Sequence, residues 1–424
     1  MKLLIKNGRV IDPANNLDGV CDLLVQNSKI IKVAKEIKNE PEKIIDATDK
    51  IVMPGLVDMH VHLREPGRED KETITSGTQA ALAGGVTSVL AMPNTQPAID
   101  SLETIALLKN IIRESASANV FIAAAITRNR GGKELAEIAK LRKAGAIAIT
   151  DDGASVDSEK IMLEALKRAK AEKVLLIAHC EDKALSAKGA VNLGLTSTRL
   201  GLRGISKESE YKRVERDIEL ARRVNAPIHI AHVSCKESVE IIAQAKKKGI
   251  KVTAETAPHY FTLSEEAVLG YDTNTKMNPP LRGKDDVAAI RKGLSDAVID
   301  VIASDHAPHT ENEKEIEFER AEFGVIGLET ELAVAITELV ATGILSWQEL
   351  VRKLALNPAR ILRINKGTLS AGSDADIIIV SPEKEWLVEK KDFFSKSRNS
   401  CFLGRKLKGV VEYTICGGKI AYTA

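Results

Sequence analysis

The chain has 424 residues, with 61 Lys and Arg against 59 Asp and Glu and a formal net charge of +2. Acidic and basic residues are well mixed, so neither nucleic acid nor an anionic membrane is predicted as the main partner. No apolar run is long enough to span a bilayer, and Lys6 interrupts the first apolar residues before a secretory core could form. The five cysteines are scattered without a Cys-x-x-Cys spacing, which argues against a disulfide framework. A soluble protein of the cytoplasm is therefore expected.

Both ends of the chain have the pattern of short β-strands separated by turn residues. Residues 1–54 contain three such runs, with Asn-Gly and Asn-Ser pairs marking the turns. The same pattern returns in residues 366–424, for example in DADIIIVSP and VVEYTICGGKIAY. Because two β-rich ends flank a different middle, we predict one small β-sandwich domain built from both termini. Residues 55–365 are then a single inserted catalytic unit.

The middle of the chain alternates apolar, β-branched runs with amphipathic helical stretches. Eight strands are predicted, at residues 55–63, 86–94, 118–127, 146–152, 173–181, 226–234, 251–260 and 297–308. The helices predicted between them are Ile74–Ala83, Leu102–Glu114, Glu134–Lys143, Ile161–Ala171, Glu208–Val224 and Val239–Lys248. Eight such units close most naturally into a (β/α)8 TIM-type barrel. An open doubly wound sheet is the alternative, weakened by the absence of a glycine-rich phosphate fingerprint.

Two connections are longer than a plain barrel requires. They cover residues 182–205, after the fifth strand, and residues 307–327, after the eighth. Long loops at the carboxyl-terminal face of a barrel are usually functional. The second loop is therefore a candidate lid, and a surface insertion without function is the alternative.

The first strand of the middle region ends in two histidines with one residue between them. Side chains alternate faces along a strand, so His60 and His62 are expected to point the same way and to hold one metal ion. Later strand-like runs also end in His or Asp, at Asp152, His179, His232 and Asp305. Asp151, His229 and His306 have the opposite parity and are expected to point away. Asp151 is expected to be a turn or helix-cap residue, and His229 a core residue or one that supports the metal ligands from behind.

These six side chains are imidazoles and carboxylates without a thiolate, which suits a catalytic zinc site with room for water. Four histidines and two aspartates exceed what one tetrahedral ion uses, so two ions sharing a carboxylate are expected. Cations at such a centre make water a nucleophile near neutral pH and polarise a carbonyl oxygen. The predicted reaction class is hydrolysis of a carbonyl compound.

Several motifs resemble those of one enzyme family. VMPGLVDMHVHLREPGREDKET, AMPNTQP, AITDDG, IAHCED, IAHVS, MNPPLR and ASDHAPH are similar to segments of the amidohydrolase superfamily, and most closely to bacterial type I dihydroorotases. The resemblance covers nearly the whole chain. It implies reversible, zinc-dependent hydrolysis of the cyclic amide of dihydroorotate to N-carbamoyl-aspartate, a step of pyrimidine synthesis.

The resemblance also implies roles for individual residues. His60, His62 and Asp305 would bind one zinc ion, His179 and His232 the other, and Asp152 would bridge the two. Asp305 would be the catalytic base and then acid. The substrate would contact His62, Arg64, Asn94, Asn278, His309, Phe323 and Gly324, with Arg64, Asn94 and His309 on its carboxylate. Arg64 lies two residues beyond His62, so strand parity predicts the same inward face.

The residue expected to bridge the two ions differs from the one used in much of the wider superfamily. Many binuclear members use a carboxylated lysine from the fourth strand, whereas that strand end here offers Asp151 and Asp152. The resemblance leaves two other functions open. One is a related cyclic-amide hydrolase, such as a hydantoinase, dihydropyrimidinase or allantoinase. The other is a scaffold partner of aspartate transcarbamoylase, a partnership that is also compatible with activity. A homo-oligomer is expected.

Overall fold

The two ends of the chain build one mixed sheet of eight strands. The computed structural model describes residues 2–38, 41–186 and 188–424. Strand Ile51–Pro54 runs parallel to the first strand and antiparallel to Ile377–Leu387, and so joins the two ends. The strands of this sheet are Lys2–Asp12, Leu17–Gln26, Lys29–Ala34, Lys43–Asp46, Ile51–Pro54, Ile377–Leu387, Lys406–Cys416 and Lys419–Thr423.

This terminal sheet has a hydrophobic cluster of its own. Leu3, Leu23 and Val25 from the first residues pack with Ile377 and Ile379 from the last part of the chain. All five side chains are completely buried. Burial of this shared apolar face holds the two distant ends of the sequence together.

Eight parallel strands form a second sheet in the middle of the chain, and their spatial order follows the sequence. The first and last of them meet, because the His62 amide donates to the His306 carbonyl at 2.9 Å and Val61 pairs with His306. The sheet is therefore a closed (β/α)8 barrel. Its strands are Leu56–Val61, Val86–Ala91, Asn119–Ala124, Ala146–Ile149, Leu175–Ala178, Ile228–Ile230, Val252–Thr256 and Val301–Ile302.

Helices follow the barrel strands. Those of seven residues or more are Ile74–Ala83, Leu102–Ser115, Ile138–Ala144, Glu159–Glu172, Glu208–Val224, Lys236–Lys247 and Lys284–Ser295. The third begins later than the predicted Glu134, because the Glu134 carbonyl accepts from the Arg128 amide and Leu135 pairs with Thr127. Among the helices of the described residues, none combines the length and apolar character that crossing a bilayer requires.

Shorter helices occupy the loops and the end of the barrel unit. They are Lys183–Ser186, Leu195–Leu200, Pro258–Thr262, Glu311–Lys314, Glu331–Ala335, Trp347–Val351 and Asn357–Leu362, with π-helical turns at Ile336–Val340 and Arg352–Leu356. Short 3₁₀ turns lie at Arg128–Arg130, Glu265–Val268, Thr273–Thr275 and Lys390–Asp392. The loop after the fifth barrel strand also contains a small strand pair, Val191–Asn192 with Gly204–Ile205.

Residues from several strands fill the barrel interior. Met59, Leu90 and Ile177 belong to one buried cluster, to which helix Asn357–Leu362 contributes Ala359 and Leu362. This apolar packing occupies the core of the barrel. The polar side chains that follow the strands collect at its carboxyl-terminal end, the usual position of active sites in this fold.

Candidate metal centre

The six side chains singled out from the sequence come together at the carboxyl-terminal ends of the strands. His60 Nε2 lies 3.3 Å from Asp152 Oδ1 and 3.5 Å from Asp305 Oδ1. His62 Nε2 lies 3.3 Å from Asp305 Oδ1 and 3.5 Å from Asp152 Oδ2. The ends of the first, fourth and eighth strands thus contribute one cluster of ligand atoms.

Asp152 connects this cluster to the remaining two histidines. Its Oδ1 is 3.3 Å from His179 Nδ1 and 3.4 Å from His232 Nε2, and these two nitrogens are 2.7 Å apart. The other carboxylate oxygen faces His62. Asp152 therefore has Oδ1 toward His60, His179 and His232 and Oδ2 toward His62, so its carboxylate lies between the two groups of histidines.

The arrangement suits a divalent cation. His60 Nε2 and Asp152 Oδ1 are buried and have no hydrogen-bond partner within the described parts of the chain. Buried polar atoms are almost always paired, so two such atoms facing each other mark a place for an ion. Two overlapping groups have the required spacing, one with Asp152 and His232 and one with His62 and Asp305. His60 belongs to both, whereas the resemblance assigned it to one ion only.

Most of these ligands lie beyond the ends of their strands. The fourth, fifth, sixth and eighth barrel strands end at Ile149, Ala178, Ile230 and Ile302. His232 and Asp305 have left-handed backbone conformations, with φ of 33° and 50°. Strand parity no longer applies to such residues, and backbone turns aim their side chains.

Strand parity does not apply to Arg64 either. It has φ of 62° and lies three residues after its strand ends at Val61, so the predicted reason for its orientation is wrong. Its guanidinium is nevertheless close to the cleft, with Nε donating to the Pro308 carbonyl at 3.1 Å and Nη2 3.3 Å from His309 Nε2. A turn after the strand, and not continued alternation, brings it there.

A carboxylate behind His60 fixes the orientation of that imidazole. His60 Nδ1 donates to Glu255 Oε1 at 2.5 Å, which leaves Nε2 free to bind a cation. Glu255 Oε2 accepts from His229 Nε2 at 3.1 Å, and His229 Nδ1 accepts from the Thr253 hydroxyl at 2.8 Å. Such outer partners set the tautomer of a metal-binding histidine and raise its basicity.

We expect Glu255→Gln to weaken metal binding about 10- to 100-fold. The Gln amide oxygen is neutral, so it would accept the hydrogen bond from His60 Nδ1 more weakly than a carboxylate does. Titration of the metal-free protein with a divalent cation in the presence of a competing chelator measures this. Glu331→Gln is the matched control: Glu331 is a buried acid in the same barrel, but neither of its oxygens has a hydrogen-bond partner in the described structure. Equal affinities in the two variants would contradict the role of Glu255.

His62 is held in a similar way. Its Nδ1 donates to Asn94 Oδ1 at 2.8 Å, so the predicted substrate contact Asn94 also orients a candidate metal ligand. The Asn94 amide nitrogen remains as a donor. On the other side of the centre, Glu181 Oε2 lies 3.5 Å from His179 Nε2 and accepts from the Asn278 amide at 3.3 Å.

Positive charge surrounds His309 beside the metal centre. His309 Nδ1 accepts from Lys71 Nζ at 3.2 Å, and its Nε2 donates to the Phe323 carbonyl at 2.8 Å, which we assign from the shorter pair of contacts. Burial, together with the cations of Arg64 and Lys71, lowers the pKa of His309 to about 2 and keeps the imidazole neutral. Burial also lowers the pKa of Arg64, but only to about 10, so it stays charged near neutral pH.

One acid, Glu313, compensates part of this charge. It accepts ion pairs from Arg68 at 2.8 Å and from Lys71 at 2.9 Å. In the described structure Arg64 donates to the Pro308 carbonyl and lies against the His309 imidazole, and neither group is a carboxylate. The cleft therefore carries an excess of positive charge next to the metal centre.

Gly324 completes the wall next to His309. Its φ is 125°, and a Cβ at this position would lie 2.6 Å from Ala307 Cβ and 3.3 Å from His309 Nε2. Only glycine fits this conformation and this space. Phe323 and Gly324, two of the predicted substrate contacts, thus lie beside His309 and form a wall of the cleft.

The residues predicted to point away behave differently from one another. Asp151 begins a turn, since its carbonyl accepts from the Ala154 amide at 2.7 Å, and its carboxylate accepts from the Ile126 and Thr127 amides. His306 pairs with Glu72 at 3.3 Å, away from the cluster. His229 is buried and contacts the centre indirectly, through Glu255 to His60.

Sequence reasoning missed several residues of the site. Glu255 is an acid inside the predicted buried strand 251–260, a signal that could have drawn attention to it. Glu181 follows the ligand His179 closely in the sequence. Lys71 gave no signal, because charged residues in a polar stretch are ordinarily solvated.

Solved structures share this architecture. The chain matches L-hydantoinase (dihydropyrimidinase) from Arthrobacter aurescens with a TM-score of 0.89 at 25% identity, covering 99% of this chain and 95% of that one. Dihydropyrimidinase from Brevibacillus agri NCHU1002 matches with a TM-score of 0.86 at 23% identity, over 99% and 95% of the two chains. With the barrel and its centre, these similarities define the class: the protein is a cyclic amidohydrolase, a hydrolase of a metal-dependent superfamily.

Curated relatives define the family. A family model described as Dihydro-orotase-like matches residues 49–238. Dihydroorotase from Elusimicrobium minutum (strain Pei191) is 53% identical over 420 residues, which cover 99% of this chain and 97% of that protein. Dihydroorotase from Geotalea daltonii is 49% identical over 423 residues, covering 100% and 99%. The chain belongs to the dihydroorotase family.

Proposed function

We propose that the protein hydrolyses the cyclic amide of dihydroorotate reversibly to N-carbamoyl-aspartate, in pyrimidine synthesis. One observation carries the choice of substrate: a half-buried, charged Arg64 beside the metal centre without a carboxylate partner in the described structure. Removing a cation from water is destabilising unless the cation is paired. The carboxylate of dihydroorotate would supply the missing partner, in the two-pronged geometry that a guanidinium favours.

Other groups support the same placement of the substrate. The Asn94 amide nitrogen is left as a donor once its oxygen has accepted from His62. Asn278, held by Glu181 across the cleft, would contact the ring, together with the backbone of Phe323 and Gly324. His309 is neutral and donates to the Phe323 carbonyl, so its contribution to carboxylate binding is to shape the wall beside Arg64.

Zinc is the metal that we propose for the centre. Ligands about 2.0–2.1 Å from Zn²⁺ in a tetrahedral arrangement lie about 3.3 Å from one another. The separations between imidazole and carboxylate atoms of the cluster, 3.3–3.5 Å, match this spacing, whereas His179 Nδ1 and His232 Nε2 lie closer together, at 2.7 Å. Six imidazole and carboxylate ligands without thiolate suit two ions bridged by Asp152. When bound, such ions lower the pKa of water and polarise a carbonyl oxygen.

The position of Asp305 supports its proposed role as the proton carrier. Its Oδ1 lies between His60 and His62, at the open side of the cluster, and the carboxylate is 13% exposed. From there it can take the proton of the attacking water and deliver it to the departing ring nitrogen. His60 and His62 are held by Glu255 and Asn94, so their rings stay fixed while Asp305 changes protonation.

A comparison of four substrates tests the proposal. The purified, metal-loaded protein is given dihydroorotate, dihydrouracil, hydantoin and allantoin at equal concentration. We expect kcat/KM for dihydroorotate to exceed the others by about 100-fold or more, because the neutral rings leave Arg64 unpaired. A preference for hydantoin or dihydrouracil would instead support the second candidate function, a hydantoinase or dihydropyrimidinase. The fold shared with such enzymes favours that alternative.

A homo-oligomeric state and an association with aspartate transcarbamoylase are further expectations. A cytoplasmic location is also proposed, as expected from the sequence analysis. The ligand positions are filled by His and Asp at each of the six sites, which supports activity over a scaffold role.

A further inference from the structure

Two lysines are buried at the loop 307–327, Lys276 beneath it and Lys314 within it. Lys276 is 2% exposed and Lys314 is 3% exposed. In the described parts of the chain, the hydrogen bonds of both ammonium groups go to backbone carbonyls. A buried ammonium without a carboxylate is costly, so the loop carbonyls must compensate for its lost hydration.

Lys276 binds the middle of the loop. Its Nζ donates to the carbonyls of Phe318 and Glu319, both at 2.9 Å, and of Ala321 at 2.6 Å. The ring of Phe323 lies against the same ammonium, 4.5 Å from its centroid. One side chain from outside the loop thereby satisfies three carbonyls and packs against the aromatic residue of the predicted substrate wall.

Lys314 binds the following turn from inside the loop. It donates to the carbonyls of Glu322 at 2.8 Å and Gly324 at 3.1 Å. Together the two lysines satisfy five carbonyls of residues 318–324. This stretch contains no described helix or strand, so the lysines replace the hydrogen bonds that regular structure would supply.

The segment that contains Lys276 and Asn278 also connects the two sides of the cleft through the loop. The Gly324 amide donates to the Lys276 carbonyl at 2.9 Å, and Asn278 follows two residues later. The Phe323 carbonyl in turn accepts from His309, next to Arg64. The position of the loop therefore sets the distance between the Asn278 side of the cleft and the Arg64 side.

We propose that Lys276, assisted by Lys314, is a positioning residue that fixes the loop 307–327 over the cleft and so sets the affinity for substrate. Lys276 does not touch the substrate; it acts through Phe323, Gly324 and Asn278. The effect on substrate binding rests on the proposed function, whereas the effect on the loop does not.

The test compares Lys276→Met and Lys314→Met with Lys390→Met. Lys390 is the matched control, because it approaches the same loop at Glu315 with a separation of 3.8 Å but is 54% exposed. Steady-state kinetics with dihydroorotate, metal content, and hydrogen exchange of the amides of residues 315–325 are measured on the full-length, metal-loaded proteins. Lys276→Gln is included because it keeps N–H donors for two of the carbonyls.

In Lys276→Met we expect KM to rise about 10-fold, kcat to change less than about threefold, and the metal content to stay unchanged. Hydrogen exchange of the loop amides should also be about 10-fold faster or more in Lys276→Met. The exchange rates of Lys314→Met and Lys276→Gln should be intermediate, and that of Lys390→Met should equal the wild-type rate. A folded Lys276→Met protein with unchanged loop exchange would overturn the proposal. If that variant does not fold, unchanged exchange in both Lys276→Gln and Lys314→Met would overturn it equally.

The two proposals fail in different ways. A wild-type protein that does not turn over dihydroorotate would refute the proposed function. Loop exchange, measured without substrate, would still decide whether Lys276 holds the loop. Faster exchange with an unchanged KM would overturn the link between the loop and substrate affinity.

Discussion

Replacing Asp305 with asparagine is expected to lower kcat by about 10³-fold or more, the upper range of what a general acid–base residue contributes. Asparagine keeps the shape and one oxygen near His60 and His62 but cannot carry the proton between water and the leaving nitrogen. A loss of this size corresponds to about 4 kcal/mol of transition-state stabilisation. Steady-state rates of dihydroorotate hydrolysis measure it, and Asp305→Ala should lose at least as much.

Metal analysis separates the proton role of Asp305 from its role as a ligand. We expect Asp305→Asn to keep most of its metal, because four histidines and Asp152 remain. Asp296→Asn is a suitable control, since Asp296 is exposed and pairs with Lys292. Turnover near the wild-type rate in a metal-loaded Asp305→Asn protein would remove Asp305 from the mechanism.

Replacing Arg64 with methionine is expected to raise KM for dihydroorotate about 10- to 100-fold, as the loss of a charged hydrogen-bonded contact of about 1.5–3 kcal/mol implies. The change removes a half-buried cation beside the metal centre that has no carboxylate partner in the described structure. The KM of Arg64→Lys should lie between those of the wild type and Arg64→Met, because lysine keeps the charge but lacks the planar guanidinium with its two parallel donors. Initial rates over a range of substrate concentrations give both KM and kcat.

Arg68 provides the matched control for this experiment. It lies four residues further along the same segment, but its guanidinium already pairs with Asp70 and Glu313, both at 2.8 Å. We expect Arg68→Met to change KM less than about threefold. If Arg64→Met and Arg68→Met had the same effect, the unpaired charge of Arg64 would not be what recognises the substrate.

The strands and helices of the barrel could be predicted because their signals are local. Helices Ile74–Ala83 and Glu208–Val224 begin and end at the predicted residues. Each predicted strand contains an observed one, although the observed strands are shorter. The fifth, for example, is predicted at residues 173–181 and observed at Leu175–Ala178. The excess lies mainly at the carboxyl ends, where the chain leaves the sheet to place polar side chains around the cleft.

Strand parity failed where the chain had already left the strand. It gave the right direction for Arg64 for a wrong reason, because a left-handed turn at φ of 62° aims that side chain. His229 lies inside its strand, where parity applies, and it contacts the cluster only indirectly, through Glu255 to His60. Alternation of faces is a property of extended backbone alone, so a single residue with positive φ ends its validity.

The sequence by itself determined the fold and the kind of chemistry: periodic apolar residues specify eight strand–helix units, and His and Asp at their ends specify a cation centre. Only the tertiary structure decided which atoms meet. His60 and Glu255 are 195 residues apart, and Lys276 reaches carbonyls 42 to 45 residues away. Such pairings depend on closure of the barrel and the path of its loops, whereas a local pattern describes one element at a time. Tautomers, unpaired charge and loop position are therefore properties of the closed barrel.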